Sequence, residues 1–341
     1  MTEIPRPEPL LVDGRPLADD YEVVLAHEHL LIDIRCWHDA THAPTRHLAD
    51  QPVSAANLEE VRTNPFSCRD NLVLDDRERI AHELRVLEPH RALVVDVTPD
   101  SVGRDPSGMA EISRHAGVDV VMGCGPYIIE SRPGDPPDAP PEWYRDAILA
   151  AVLGPAPRPA VIGEIGTGDP IHPSERAALA GAAMAQAATG LPLYVHLHPW
   201  GRRGHEALYI VEAAGGDLSR TVLCHLDPHV PDGLDYHRSL MARGAVIAFD
   251  LWGDEFPYGA VRMPTDAERL DATLALVDDG LGHLLVHSHD ICTKTQLMRF
   301  GGPGFGHIPH VVRPMLLEAG LGPDEVRRQL AGNALRLLRG G

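Results

Sequence analysis

The chain has 341 residues, 44% of them hydrophobic, with 30 basic against 49 acidic side chains and a formal net charge of -19. That length and apolar content build one large α/β domain or two ordinary ones with a sizeable core, and exclude a disordered or fibrous chain. The acidic balance without a clustered basic patch disfavours nucleic-acid and anionic-membrane partners. No apolar run reaches membrane-spanning length and the N-terminal MTEIPRPEPLLVDG lacks the features of a signal peptide, so a cytoplasmic protein is expected.

After a lead-in over residues 1–20, short apolar runs alternate with helical patterns. EVVLAHEH (22–29) precedes a long connection (31–75) and the helical DDRERIAHELRVLEPH. ALVVDVTP (92–99) is followed by GMAEISRHAG, and VDVVMGCG (118–125) by a Pro-rich connection (125–141) and PEWYRDAILAAVLG. PAVIGEIG (159–166) leads to PSERAALAGAAMAQAATG, LPLYVHLH (191–198) to GHEALYIVEAAGG, and RTVLCHLD (220–227) to GLDYHRSLMARG. GAVIAFDL (244–251) leads to DAERLDATLALVDDG, and GHLLVHSH (282–289) to HVVRPMLLEAG and a closing helix PDEVRRQLAGNALRLL. Several helical patterns end in Gly, the expected stop signal. Eight strands alternating with eight helices predict a closed (β/α)₈ TIM barrel over 1–341, with no linker marking a second domain. A doubly wound open sheet is the alternative, but no G-x-G-x-x-G loop follows the first strand.

The 20 histidines are the unusual count, since His is the commonest metal ligand. In His27-Glu28-His29 the two imidazoles share one face of a strand while Glu28 faces away. A barrel carries its active site at the C-terminal strand ends. There strand one places His27 and His29, strand four Glu164, strand five His196, strand six His225 and strand eight Asp290. Each alone reads more readily as a capped strand end or a satisfied buried histidine than as a ligand. Together, four imidazoles and two carboxylates crowded at one rim call for a cation. Imidazole and carboxylate without thiolate suit two divalent ions, Zn²⁺ foremost, with Mn²⁺, Co²⁺ and Fe²⁺ as alternatives. Glu164, central in strand order and carrying two oxygens, is the natural bridge. The five cysteines are odd in number and scattered, without a C-x-x-C pair, and read as small buried hydrophobes.

AHEHL, VIGEIG, YVHLH, LCHLD and SHDICTKTQLMRFGGPGFGHI together resemble the phosphotriesterase family of the amidohydrolase superfamily, most of all its phosphotriesterase-related branch. The resemblance spans nearly the whole chain. It implies that His27, His29 and Asp290 hold a buried ion, His196 and His225 a more exposed one, and Glu164 joins them. Phosphotriesterases are understood to use a carboxylated lysine as the bridge, so Glu164 points away from organophosphate hydrolysis. A hydroxide held between two ions is a nucleophile at neutral pH, and Asp290 is the candidate to take its proton.

Other residues admit two readings. His198 follows His196 by two positions, but Pro199 leaves its direction open. Lys294 and Arg299 are solvated surface cations or a clamp for a substrate carboxylate. Tyr127, Trp252, Phe256 and Tyr258 are local core or pocket wall. His287 and His289 alternate out of phase with Asp290 and read as packing or hydrogen-bonding groups, and Cys224 is expected on the far face of its strand from His225. The Gly-rich 300–307 is expected as a loop able to close over substrate. The function expected is a metal-dependent hydrolase of a small carboxylic ester, lactone or amide, with a small-molecule substrate and at most a second copy of the chain as partner. A phosphoester hydrolase and a metal-retaining binding protein are the alternatives.

Overall fold

The computed structural model describes residues 6–136, 138–258 and 261–340. Eight parallel strands lie where the apolar runs fall: β1 Val23–Glu28, β2 Ala92–Asp96, β3 Asp119–Met122, β4 Ile162–Gly166, β5 Leu193–His196, β6 Thr221–Leu223, β7 Val246–Phe249 and β8 Leu285–His287. All but the first residue of β3 are buried, as expected for parallel strands covered on both faces. The registers run Leu25 opposite Val94, Val94 opposite Val120, Ile162 opposite Leu193, Leu193 opposite Thr221, Val222 opposite Val246 and Ala248 opposite Val286.

Two seams close this ladder into a barrel. Between β3 and β4, Ala160 N–H donates to Met122 O at 2.9 Å and Gly163 N–H to Cys124 O at 2.7 Å. Between β8 and β1, Asp290 N–H donates to His27 O at 3.2 Å and His27 N–H to Ser288 Oγ at 2.9 Å. An open doubly wound sheet would have left both seams as free edges, so that alternative falls.

The outer helices begin and end on the signals written in the sequence. Asp76 caps Arg77–Leu84 by accepting from Arg79 N–H, and Asp105 caps Pro106–Ala116, which stops at left-handed Gly117. His172 with Glu175 and Thr265 with Glu268 form reciprocal capping boxes at the starts of Pro173–Thr189 and Asp266–Asp278. Pro141–Val152, Gly204–Ala213 and Asp235–Met241 complete the ring. The last two helical patterns are interrupted by π-helical turns at Ile308–Val312 and Arg328–Gly332, which periodicity did not anticipate. Most buried apolar residues from Leu11 to Leu338 form one connected core, and Leu48, Val53, Val61 and Cys68 form a small separate one within the connection after β1.

The connection after β1 is built rather than loose. It holds a two-residue antiparallel ribbon (Ile32–Asp33 with Val73–Leu74) and a short helix, Leu58–Thr63. That substructure lies over the C-terminal mouth of the barrel and brings Trp37 and Phe66 to it.

Candidate metal centre

The six side chains expected at the strand ends meet. Glu164 is at the centre, with Oε1 3.4 Å from His29 Nε2 and Oε2 3.6 Å from His27 Nε2, 3.2 Å from His196 Nδ1 and 3.6 Å from His225 Nε2. Asp290 Oδ1 lies 3.1 Å from His29 Nε2 and 3.6 Å from His27 Nε2, and Oδ2 3.8 Å from His225 Nδ1. His27, His29 and Glu164 form one triad of ligand atoms within 4.8 Å of one another, and Glu164, His196 and His225 a second, so that Glu164 belongs to both.

Local backbone aims these groups. Gly163 is left-handed (φ +128°), and a Cβ there would stand 2.5 Å from Tyr194 O, so only glycine lets β4 approach β5 closely beside Glu164. His225 (φ +60°) and Asp290 (φ +51°) are non-glycine residues in the left-handed region, a strained conformation that turns both side chains into the mouth just past their strands. The kink at His225 also corrects one expectation: Cys224 does not face away, since its Sγ lies within 4.8 Å of ligand atoms of His27 and Asp250. Burial, then the Asp250 carboxylate, pushes its thiol well above the ordinary range, so it stays protonated.

Asp250, at the end of β7, escaped the sequence reading although it satisfies the same strand-end rule. It is fully buried, with Oδ2 2.9 Å from His27 Nδ1 and Oδ1 3.3 Å from His225 Nδ1, and Oδ1 accepts His225 N–H at 2.9 Å. One carboxylate thus backs an imidazole of each triad. Thr98 Oγ1, 2.9 Å from His29 Nδ1, backs another. Asp96 accepts from Leu30 N–H and Thr98 N–H and fixes the turn after β1. Glu28 faces the other way as expected, where it pairs with His289 at 2.7 Å.

The electrostatics ask for positive charge. Burial disfavours the charged form of His29, but hydrogen bonds with Asp290 and Glu164 outweigh it and raise the imidazole to about 10. His225 is likewise raised, against burial, by Asp250 and Glu164. Burial works against the Glu164 carboxylate, yet His27 and His196 hold it well below the usual range. Burial lowers His196, whose Nδ1 lies 2.9 Å from His225 Nε2. Among the described residues, His27 Nε2 and His196 Nε2 are buried without any hydrogen-bond partner, while His27 Nδ1 and His225 Nδ1 meet Asp250 at ion-pair distance without hydrogen-bond geometry. Orphaned imidazole nitrogens around shared carboxylate oxygens, with no thiolate among the six, fit divalent ions of the zinc type.

Above the cluster lies a cavity of about 70 Å³, counted as room for the centre of a water molecule, floored by His29, Glu164, His196, His225 and Asp290. Tyr127 lines it, with its OH 3.4 Å from His196 Nδ1 and accepting Trp37 Nε1–H at 3.1 Å. Tyr258 is a wall, as are Ile32, Ile34, Leu251 and Met263. Other expected contacts lie elsewhere. Trp252 is fully buried and donates its indole N–H to His287 Nδ1 at 3.0 Å, so His287 is a buried hydrogen-bonding group away from the cluster. Lys294 is tied to Asp70 at 2.6 Å, and Arg299 is exposed away from the cavity. His198 sits behind the wall, its ring centroid 5.7 Å from that of Trp37, and accepts Trp200 N–H. Residues 300–307 form a loop, but Phe305 is buried in the core and the segment does not line the cavity.

The chain matches the model of the phosphotriesterase family over residues 12–338. It is 33% identical over 320 residues to an N-acetyltaurine hydrolase of Tetraodon nigroviridis, covering 91% of each chain. It is 31% identical to a phosphotriesterase-related protein of Nematostella vectensis, over 89% of this chain and 90% of that one. Among solved structures, a resiniferatoxin-binding protein from Rhodobacter sphaeroides superposes with a TM-score of 0.91 at 36% identity, covering 97% of this chain and 95% of that one. With a strand-end cluster of this kind and a match across nearly its whole length, the chain belongs to the phosphotriesterase family, and with it to the metal-dependent hydrolases.

Proposed function

We propose that the chain is a single barrel domain acting as a binuclear hydrolase of a small carboxylic ester, lactone or amide. In this reading His27, His29 and Asp290 hold the buried ion, His196 and His225 the more exposed one, and Glu164 joins them. The observation that carries it is the membership of Glu164 in two separate triads of ligand atoms. Zinc is the preferred ion for an imidazole and carboxylate set, and manganese, cobalt and iron suit the same donors. When bound, such a pair supplies an acidified water as nucleophile and polarises the substrate's carbonyl oxygen.

The chain's own groups do the rest. Asp290 spans the cluster with one oxygen towards His29 and the other towards His225, and so stands to take the proton of the attacking water and return it to the leaving group. Tyr127 already accepts a hydrogen bond from Trp37 and keeps its own proton to donate; beside His196 it can meet a substrate oxygen. Asp250 and Thr98 hold the imidazoles in orientation. The free state of all five cysteines supports a reducing, cytoplasmic setting.

Amide cleavage is supported by the relatives named N-acetyltaurine hydrolase. The second reading, a ligand-binding protein that keeps the cluster, has the resiniferatoxin-binding structure in its favour. A screen of esters, lactones, N-acyl amino compounds and phosphoesters against zinc-loaded protein separates the readings. Turnover that stops on chelation and returns with metal supports the hydrolase, and binding without turnover of any class supports the second reading.

A further inference from the structure

The cavity is polar only at its floor. Its walls include Trp37 and Phe66 from the connection after β1, Trp200 from that after β5 and Tyr258 from that after β7. Ring centroids are 6.0 Å apart for Trp37 and Phe66, 5.5 Å for Phe66 and Tyr258, and 5.3 Å for Tyr258 and Trp200. These spacings suit tilted aromatic contacts, so the four rings run in one continuous arc, here called the collar. Two of their three polar tips are engaged: Tyr258 OH donates to Asp254 at 2.5 Å and Trp37 Nε1–H to Tyr127 OH. What the collar offers a ligand is ring surface and, at Trp200, one neutral indole N–H, with no charged group.

Among the described residues, no lysine or arginine lines the cavity. The basic side chains of the surrounding connections are engaged elsewhere: Arg35 with Asp33, Arg62 with the Phe300 carbonyl, Arg202 with Asp232 and Lys294 with Asp70. With the scissile carbonyl at the floor, the far end of a substrate meets the collar and the apolar side chains of Ile32, Ile34, Leu251 and Met263. An anionic group there would lose its water against the negative faces of aromatic rings and find no counter-charge. The net charge of -19 adds a long-range field of the same sign.

We propose that this cavity selects an uncharged substrate with a flat apolar body, in the simplest case an aryl ester, and discriminates against esters and amides that carry a sulfonate or carboxylate at the remote end. The assignment rests on the hydrolase reading for the placement of the scissile group. It predicts that N-acetyltaurine, an amide with a sulfonate tail for which several relatives are named, is a poor substrate of this chain.

The test is binding first and turnover second, both on zinc-loaded protein. Phenylacetone and its para-sulfonated counterpart are ketones that cannot be hydrolysed, and quenching of tryptophan fluorescence follows their binding. The neutral ketone should bind at least about tenfold more tightly, a preference of about 1.4 kcal/mol. Trp200→Ala should weaken the neutral ketone severalfold at unchanged metal content, with Phe66→Ala as the second variant if the first does not fold. Equal or tighter binding of the sulfonated ketone, or binding of neither, overturns the assignment. In parallel, kcat/KM is compared for phenyl acetate, para-sulfophenyl acetate and N-acetyltaurine. Preferential binding of the neutral ketone without turnover of any ester or amide ends the hydrolase reading and leaves the pocket assignment standing. Equal turnover of neutral and sulfonated esters overturns the pocket assignment and leaves the hydrolase reading standing.

Discussion

Asp250→Asn separates a backing role from a merely structural one. The wild-type carboxylate is fully buried, 2.9 Å from His27 Nδ1 and 3.3 Å from His225 Nδ1. Asparagine has nearly the same volume and keeps an oxygen to accept His225 N–H, so the barrel should survive. What it removes is the charge that makes both imidazoles better electron donors, and it sets an amide N–H₂ or a neutral oxygen against one of them. Loss of such a backing carboxylate costs about 10- to 100-fold in metal affinity or activity at one ligand. Because Asp250 backs one imidazole in each triad, we expect the upper end of that range at both positions, about 2.7 kcal/mol each. Chelator competition on the zinc-loaded variant reads the two affinities, and circular dichroism verifies the fold. A folded Asn variant holding both ions with wild-type affinity would refute the backing role and the reasoning from these distances.

Three further outcomes are expected. Glu164→Gln leaves the two cation positions without the shared charge between them, so the variant should retain at most one ion by elemental analysis; two ions held at wild-type strength would assign the bridge to another group. Asp290→Asn should keep some metal and lose about 10² or more in kcat if Asp290 moves the proton, and an unchanged pH-rate profile would remove it from that role. In the metal-free protein His29 is raised from 6.5 to about 10. The stability it contributes is therefore fully present below pH 6.5 and lost as pH rises towards 10. Thermal melts of the chelated protein should fall across that window and those of the loaded protein should not; a chelated protein equally stable at pH 6.5 and 10 would contradict the charge assignment.

Much of the barrel was legible because strands buried on both faces read as unbroken apolar runs, and because caps such as Asp105, Thr265, Gly117 and Gly190 are written in residue types that do that work cheaply. The cluster at the mouth was legible for a related reason: a barrel sends whatever polar group ends a strand to one rim, which placed His27, His29, Glu164, His196, His225 and Asp290 together. Asp250 ends GAVIAFDL in the same way and was within reach of that rule. Directions past the strand ends were not legible. Leu251 faces the cavity and its neighbour Trp252 faces the core, a choice made by loop backbone that no periodicity reports. The left-handed turn at His225 is equally silent, and it reverses the alternation that would have sent Cys224 outward. Lys294 and Arg299 follow Asp290 closely in sequence, but Asp70, contributed by the long first connection, takes up the lysine.

The most direct test of the metal pair is the stoichiometry of the purified chain with activity followed through removal and return of the ions. Two divalent ions per chain, loss of hydrolysis on chelation and recovery only as the second equivalent of zinc is added are the predicted result. A chain that binds no metal on reconstitution, or that hydrolyses its best substrate equally well after complete chelation, would contradict the account.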